Sequence, residues 1–263
     1  MQEENADAGP AHSERRTPHA ELTRPAALLE VLICSGFPTQ LLILGVLRAA
    51  GLRPMDAEGS LSLAFFGTLA LADSVLLAGI IFLFLLARRE SPRALFLGPR
   101  PPGREAVLGA ALIPIVFIFV AFIVGGLRLI APWLQTVPQN PLGALLDTPG
   151  EAIVFAFVVV IAGGLREEIQ RAFILHRFEQ RLGGATVGLV LFSLMFGLGH
   201  IEQGADVAIA TSALGLFWGV LYLRRRSIVA PAVSHAGFNL AQVVVQATLR
   251  GGIVGTWVGG FGG

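Results

Sequence analysis

The chain has little charge, almost no cysteine and no lysine. Only 14% of its 263 residues are charged, and 54% are hydrophobic, with a mean hydropathy of +0.72. Soluble domains carry about 25% charged residues, so the composition excludes an ordinary globular domain and marks an integral membrane protein. The nineteen basic residues are all Arg, a bias that genome composition explains as readily as function. The single cysteine, Cys34, excludes an intrachain disulfide and a cysteine-based metal cluster. Its apolar surroundings read as packing rather than as a nucleophile. A net charge of +1 lacks the basic footprint of nucleic-acid binding. No zinc-binding His-Glu-x-x-His helix is present, and Gly199-His-Ile-Glu202 does not make one. No cleavable signal peptide is read either, because the first apolar core starts too late and runs too long.

What is there is a series of apolar runs long enough to span a bilayer, about 20 residues each. They predict helices near 26–50, 59–87, 105–131, 150–178, 185–203, 205–223 and 227–249, an all-α polytopic bundle of seven spans, or eight if one stretch splits. The Pro- and Arg-rich stretch 88–104 and the stretch 132–149 read as loops. Residues 1–25 read as a disordered cytoplasmic tail, 26–89 as N-terminal transmembrane helices, 90–249 as a second transmembrane unit and 250–263 as a Gly-rich tail. Arg88, Arg89, Arg93, Arg100 and Arg104, then Arg177 with Arg181, then Arg224 to Arg226, recur at alternate connections. The positive-inside rule makes these connections and the N-terminus cytoplasmic; Arg48 and Arg53 dissent mildly. No inverted internal repeat of the transporter kind is visible.

Against this background, ionisable residues within apolar sequence stand out, since a charge at mid-bilayer costs about 2.5–3.5 kcal/mol on insertion scales. Glu167 and Glu168 lie four and three residues before Arg171, one helical turn away. Adjacent glutamates diverge by about 100° on a helix, so one can face a cavity while the other pairs with Arg171. His200 closes an apolar run, with Phe196 one turn earlier and Gly197 and Gly199 clearing room for a close helix or a substrate. His235 and Asn239 share a helix face at i, i+4, with Ala236 and Gly237 between them. Each element has a plain structural reading: a charged helix end, an interfacial histidine, a helix–helix hydrogen bond. Together they supply a base for water and donors for an oxyanion. Two His and a Glu also suit a divalent metal such as zinc, or can hold water alone, so metal dependence stays open. With alternating spans Glu167 falls toward the inner side and His200 toward the outer, so one of them must sit deep. Asp73 reads as a buried hydrogen-bonding partner, and Glu202 and Asp206 as interfacial loop acids.

In order, the Glu-Glu…Arg element, Phe196-x-x-x-His200 and His235-x-x-x-Asn239 resemble the signature of the CPBP intramembrane proteases, also called the Abi or type II CAAX prenyl endopeptidase family. Leu95-Phe-Leu-Gly-Pro-Arg100 is similar to the segment that leads into that family's catalytic domain, and the likeness covers roughly residues 90–245. It implies a helical membrane fold with its site in a cavity within the bilayer, acting on membrane-embedded or prenylated peptides in contact with membrane lipid. Carried over by position, Glu167 or Glu168 would activate water, and His200 and His235 would be metal or water partners, with Glu167 completing the metal set. Asn239 would stabilise the oxyanion and Arg171 would orient the glutamates. One departure stands out: two residues separate Glu168 from Arg171, where the family usually has three. Aligned on Arg171 and Ala172-Phe-Ile-Leu175, Arg166 takes the first glutamate's place; aligned on the glutamates, Ala172 takes the arginine's. The competing readings are a catalytically inactive membrane scaffold of the same fold and, more remotely, a transporter using the same buried charges. The expected location is the bacterial cytoplasmic membrane.

Overall fold

The structure is a computed structural model that describes residues 22–250 apart from 56–58, 139–140 and 147; of the tails read at 1–25 and 250–263, residues 1–21 and 251–263 lie outside the described residues, whereas Arg24 and Pro25 open the first helix and Arg250 closes the last. The chain folds as a helical bundle: α1 (Arg24–Ile33), α2 (Phe37–Ala49), α3 (Leu63–Ala87), α4 (Pro92–Phe96), α5 (Pro102–Ile130), α6 (Pro149–Val158), a π-helical stretch (Val159–Arg166), α7 (Glu167–Arg181), α8 (Ala185–Leu198), α9 (Ala205–Arg225) and α10 (Val229–Arg250). Among the described residues there is no strand, only an isolated antiparallel bridge between Met55 and Leu61. Four helical stretches, 24–49, 63–87, 102–130 and 205–225, are long and apolar enough to cross a membrane, and α8 is a shorter apolar helix. They correspond to four of the seven expected spans.

Burial runs inside-out relative to a soluble protein. Arg171, Arg177, Glu105 and Glu168 are among the most deeply buried large side chains, whereas Phe122 and Leu129 are 80% and 85% exposed. A bilayer solvates the apolar surface, and the ion pairs must be satisfied inside. One apolar cluster, with Cys34, Leu77, Ile81, Phe173 and Tyr222, joins the α1 end, α3, α7 and α9. A second, with Val116, Leu214, Trp218 and Phe238, joins α5, α9 and α10. Cys34 thus packs, as its context suggested.

Three elements differ from the sequence expectation. The first apolar run is two helices, not one: the chain breaks at Cys34–Gly36, where Gly36 takes φ +93°, a left-handed conformation that suits glycine, and Pro38 opens α2. The run 150–178 is a continuous helical segment over 149–181 with a π-turn in its middle. Thr148 and Glu151 form a capping box at its start. At 1.5 Å per residue the segment is roughly 50 Å long, which carries Glu167 to about its midpoint. The helix expected over 185–203 ends at Leu198, and His200 stands on the turn that follows. The 88–104 connection also contains the short helix α4.

The arginine-rich connections gather at one end of the bundle. Arg177 Nη1 lies 2.6 Å from Glu90, Arg225 Nη2 lies 2.5 Å from Glu105, and Arg226 Nη1 lies 2.7 Å from Glu179. Ile228 N–H donates to the Phe96 carbonyl at 2.8 Å. At the other end Arg128 reaches the buried Asp206 at 2.8 Å. Asp206 is therefore an internal ion-pair partner in the first turn of α9, not an interfacial loop acid.

Candidate active site

The π-turn, α7, α8 and α10 carry the sequence-predicted residues: Glu167 and His200 line one cavity, Glu168, Arg171 and His235 meet beside it, and Asn239 lies against Gly163, outside the cavity lining. Gly163 and Gly164, poor helix formers, sit in the π-turn and let α10 approach. A β-carbon at 164 would lie 2.5 Å from the Ala236 methyl, and one at 163 would lie 2.6 Å from the Asn239 amide nitrogen. Ala236 thus serves this approach. Gly237 faces away, against Ile113 of α5. π-turns occur frequently at functional sites, and this one ends where the glutamate pair begins.

The two glutamates part company as their helical spacing predicts. Glu168 is fully enclosed: its Oε1 pairs with Arg171 Nη1 and stands 2.9 Å from His235 Nδ1. A carboxylate oxygen only accepts, so the Nδ1 of His235 carries the proton. Glu167 instead lines a cavity of about 450 Å³. Its Oε2 lies 3.7 Å from His235 Nε2 and has no hydrogen-bond partner among the described residues.

His200 lines the same cavity. Its Nδ1 is 2.8 Å from the Phe196 carbonyl, which again assigns the proton to Nδ1 and leaves Nε2 as an acceptor. Phe196-x-x-x-His200 is thus a local hydrogen-bonded unit, with the two rings edge-on at 5.0 Å. Gly199 lines the cavity, while Gly197 serves close packing: a β-carbon there would lie 2.4 Å from the Ala208 carbonyl of α9. Glu167 and His200 reach one cavity because the glutamates ride to the middle of their long helix and His200 leaves its helix early.

The cavity wall opposite α8 is the α1–α2 break, through Leu32, Ser35, Gly36, Phe37 and Gln40. Broken backbone at membrane depth must be buried or line a wet cavity. Here Gln170 Nε2 donates to the Cys34 carbonyl at 2.7 Å, and Arg166 Nη1 donates to Gln170 Oε1 at 3.0 Å. Arg166 also pairs with Asp73, which accepts from Thr39 Oγ1 at 2.5 Å. Asp73 is thus a buried partner, as expected, and Arg166 pins the break to the glutamate-bearing helix.

Glu167, His200 and His235 were expected as the ligands of a divalent metal. Glu167 and His235 approach each other, but among the described residues no three His, Cys, Asp or Glu side chains form a group that could hold a metal ion. His235 also commits its Nδ1 to Glu168. That bond leaves Nε2 bare, as in most metal-ligating histidines, so metal dependence is decided by the chelator arm of the cleavage assay, and no step below is routed through a metal.

Sequence reasoning missed Trp218, whose ring stacks on His235, and the Arg166–Asp73–Gln170 brace. The Ser35-Gly-Phe-Pro38 string was a legible break signal inside the first run. Nothing local marked Trp218.

Residues 149–241 match the family model described as type II CAAX prenyl endopeptidase Rce1-like. That interval holds the π-turn, the glutamate pair, Arg171, both histidines and Asn239. No curated protein and no solved structure matches the chain.

Proposed function

We propose that this integral membrane protein, which carries an Rce1-like type II CAAX prenyl endopeptidase domain over residues 149–241, is an intramembrane endopeptidase that hydrolyses membrane-embedded or prenylated CAAX-type peptides with water activated by Glu167. The observation that carries this reading is the division of labour between the glutamates. Glu168 is tied to Arg171 and His235, whereas Glu167 and His200 face one cavity.

In this reading a water held between the Glu167 carboxylate and the bare Nε2 of His200 gives its proton to Glu167, and its oxygen attacks the scissile carbonyl carbon. The carbonyl π electrons move to oxygen, and the Asn239 amide donates to that oxyanion. Glu167 then returns the proton to the leaving nitrogen as the C–N bond breaks, giving a carboxylic acid and an amine. Arg171 and Glu168 orient His235, which borders Glu167 from the α10 side. The cavity's apolar members, among them Leu32, Phe37, Leu191 and Met195, suit an apolar or lipidated peptide. By the positive-inside rule we assign the arginine-rich end to the cytoplasm of a bacterial membrane.

The test is cleavage of a fluorogenic prenylated peptide by the purified protein in nanodiscs, with Glu167→Gln and His200→Ala beside wild type, each with and without chelator. Loss of cleavage in both variants, with chelator inert, supports the reading. Cleavage unaffected by either substitution sinks it, and chelator-sensitive cleavage overturns its metal-free chemistry.

A further inference from the structure

We infer that Trp218 is a positioning residue for His235, clamping the imidazole so that Nδ1–H stays on Glu168 and the bare Nε2 stays turned toward the Glu167 side. The inference rests on the reading of these residues as a hydrolytic site, yet it can be tested apart from it.

The indole and imidazole rings stack with centroids 3.7 Å apart and planes inclined by 19°. Trp218 is only 1% exposed, and its Nε1–H donates to Ser234 Oγ at 3.1 Å. Ser234 precedes His235 on α10, so that bond fixes the indole against the helix that carries the imidazole. A stacked ring free to slide would let His235 rotate about χ2, taking Nδ1–H off Glu168 and turning a ring carbon toward that carboxylate. The Ser234 anchor removes that freedom.

Trp218 also touches the other partner of Glu168. The Arg171 guanidinium carbon lies 5.8 Å from the Trp218 ring, 5.1 Å from Phe196 and 5.2 Å from Phe192. Arg171 Nε and Nη2 have no hydrogen-bond partner among the described residues, so aromatic faces are what the buried cation meets. Trp218 therefore bears on both groups that hold Glu168, and Glu168 and the indole together set the imidazole. An aliphatic side chain of similar reach would fill the space without the flat face or the N–H donor.

The experiment labels the histidines with ¹⁵N in nanodisc-embedded full-length protein at pH 8 and assigns the His235 ring signals by their loss in His235→Gln. Wild type should show Nδ1 protonated and Nε2 bare. Trp218→Phe, which keeps a ring but loses the bond to Ser234, should shift that pattern less than Trp218→Leu, in which the freed imidazole exchanges tautomers and the two nitrogens average. With cleavable peptide, Trp218→Leu should lower kcat by about 10²-fold, the scale of a misplaced catalytic group, with KM held within about twofold, and Trp218→Phe, which keeps the face without the anchor, should lose less. A folded Trp218→Leu with wild-type His235 signals overturns the inference, as does a Trp218→Phe that behaves like Trp218→Leu. Should Trp218→Leu not fold, Ser234→Ala carries the test: signals identical to wild type count against the anchor and overturn it. Shifted His235 signals in a protein that cleaves no peptide would sustain the clamp and sink the protease reading.

Discussion

Gly163 and Asn239 are in contact across the π-turn and α10, so that any β-carbon at 163 would lie 2.6 Å from the Asn239 amide nitrogen. That atom is the end of a side chain that can move. Gly163→Ala should therefore leave the protein folded but push the amide off its position. We expect kcat to fall by about 10²-fold, the effect of losing one oxyanion donor, with an unchanged melting temperature. Cleavage at the wild-type rate would remove Asn239 from the mechanism.

Gly164→Ala should behave in the opposite way. Its β-carbon would meet the Ala236 methyl at 2.5 Å and the Ala236 Cα at 2.9 Å, and backbone cannot step aside cheaply. Overpacking of this kind costs about 1–3 kcal/mol. Thermal unfolding in detergent should report the loss, and an unshifted midpoint would mean that the π-turn and α10 are less tightly apposed than described.

The two glutamates should fail differently. Glu167→Gln should lower kcat by about 10²–10⁴-fold, the usual contribution of a general base, while the protein stays folded. Glu168→Gln leaves the Arg171 cation buried without its counter-charge, and breaking such a pair costs about 3–5 kcal/mol. Comparing melting temperatures with rates separates the two; a stable, inactive Glu168→Gln would exchange their roles.

Arg166→Glu restores the family's usual spacing, with a glutamate pair at 166 and 167 and an arginine at 171. We expect no gain in activity. The substitution would set a carboxylate against the buried Asp73, which Arg166 now neutralises, and yield and thermal stability should both drop. A more active, equally stable variant would show that the brace is dispensable.

Acid should loosen the arginine-rich end first. Burial works to raise the Glu90 carboxyl, but hydrogen bonds from Gln180 and Arg177 and the Arg177 charge outweigh it and hold the group below its ordinary value of 4.5. A folded-state value below the unfolded one means that stability is present above pH 4.5 and is lost as pH falls through the lower folded value. Melting curves of wild type should therefore decline with acid below that point, and Glu90→Gln should flatten part of the decline. Parallel curves for the two proteins would contradict this assignment.

The helical bundle was legible because α3, α5 and α9 are long apolar runs, and the site because its polar residues had no other reason to lie in such runs. The break at Cys34–Gly36 escaped because both flanks are apolar and averaged hydropathy cannot see a φ of +93°. The π-turn escaped because a 3.6-residue period assumes α-helix throughout. Trp218 escaped for a different reason. A tryptophan in an apolar helix reads as core, and only the fold sets it against His235, seventeen positions further on. Asp206 looked like a loop acid until the turn after His200 carried it inside to Arg128.

The brace between Arg166 and Asp73 has a partner lower on the same helix, where Arg177 Nε lies 2.6 Å from the buried Glu30 of α1. Both cations lie within the interval that carries the family likeness, and their three carboxylates, Asp73 for Arg166 and Glu30 and Glu90 for Arg177, lie outside it, as does the Cys34 carbonyl that satisfies Gln170. The recognisable unit is accordingly not an excisable one. Cut free at residue 148, it would keep its signature residues and strand two guanidinium groups in a low-dielectric interior. Any chimera that grafts this core onto other helices must bring Glu30, Glu90 and Asp73 with it.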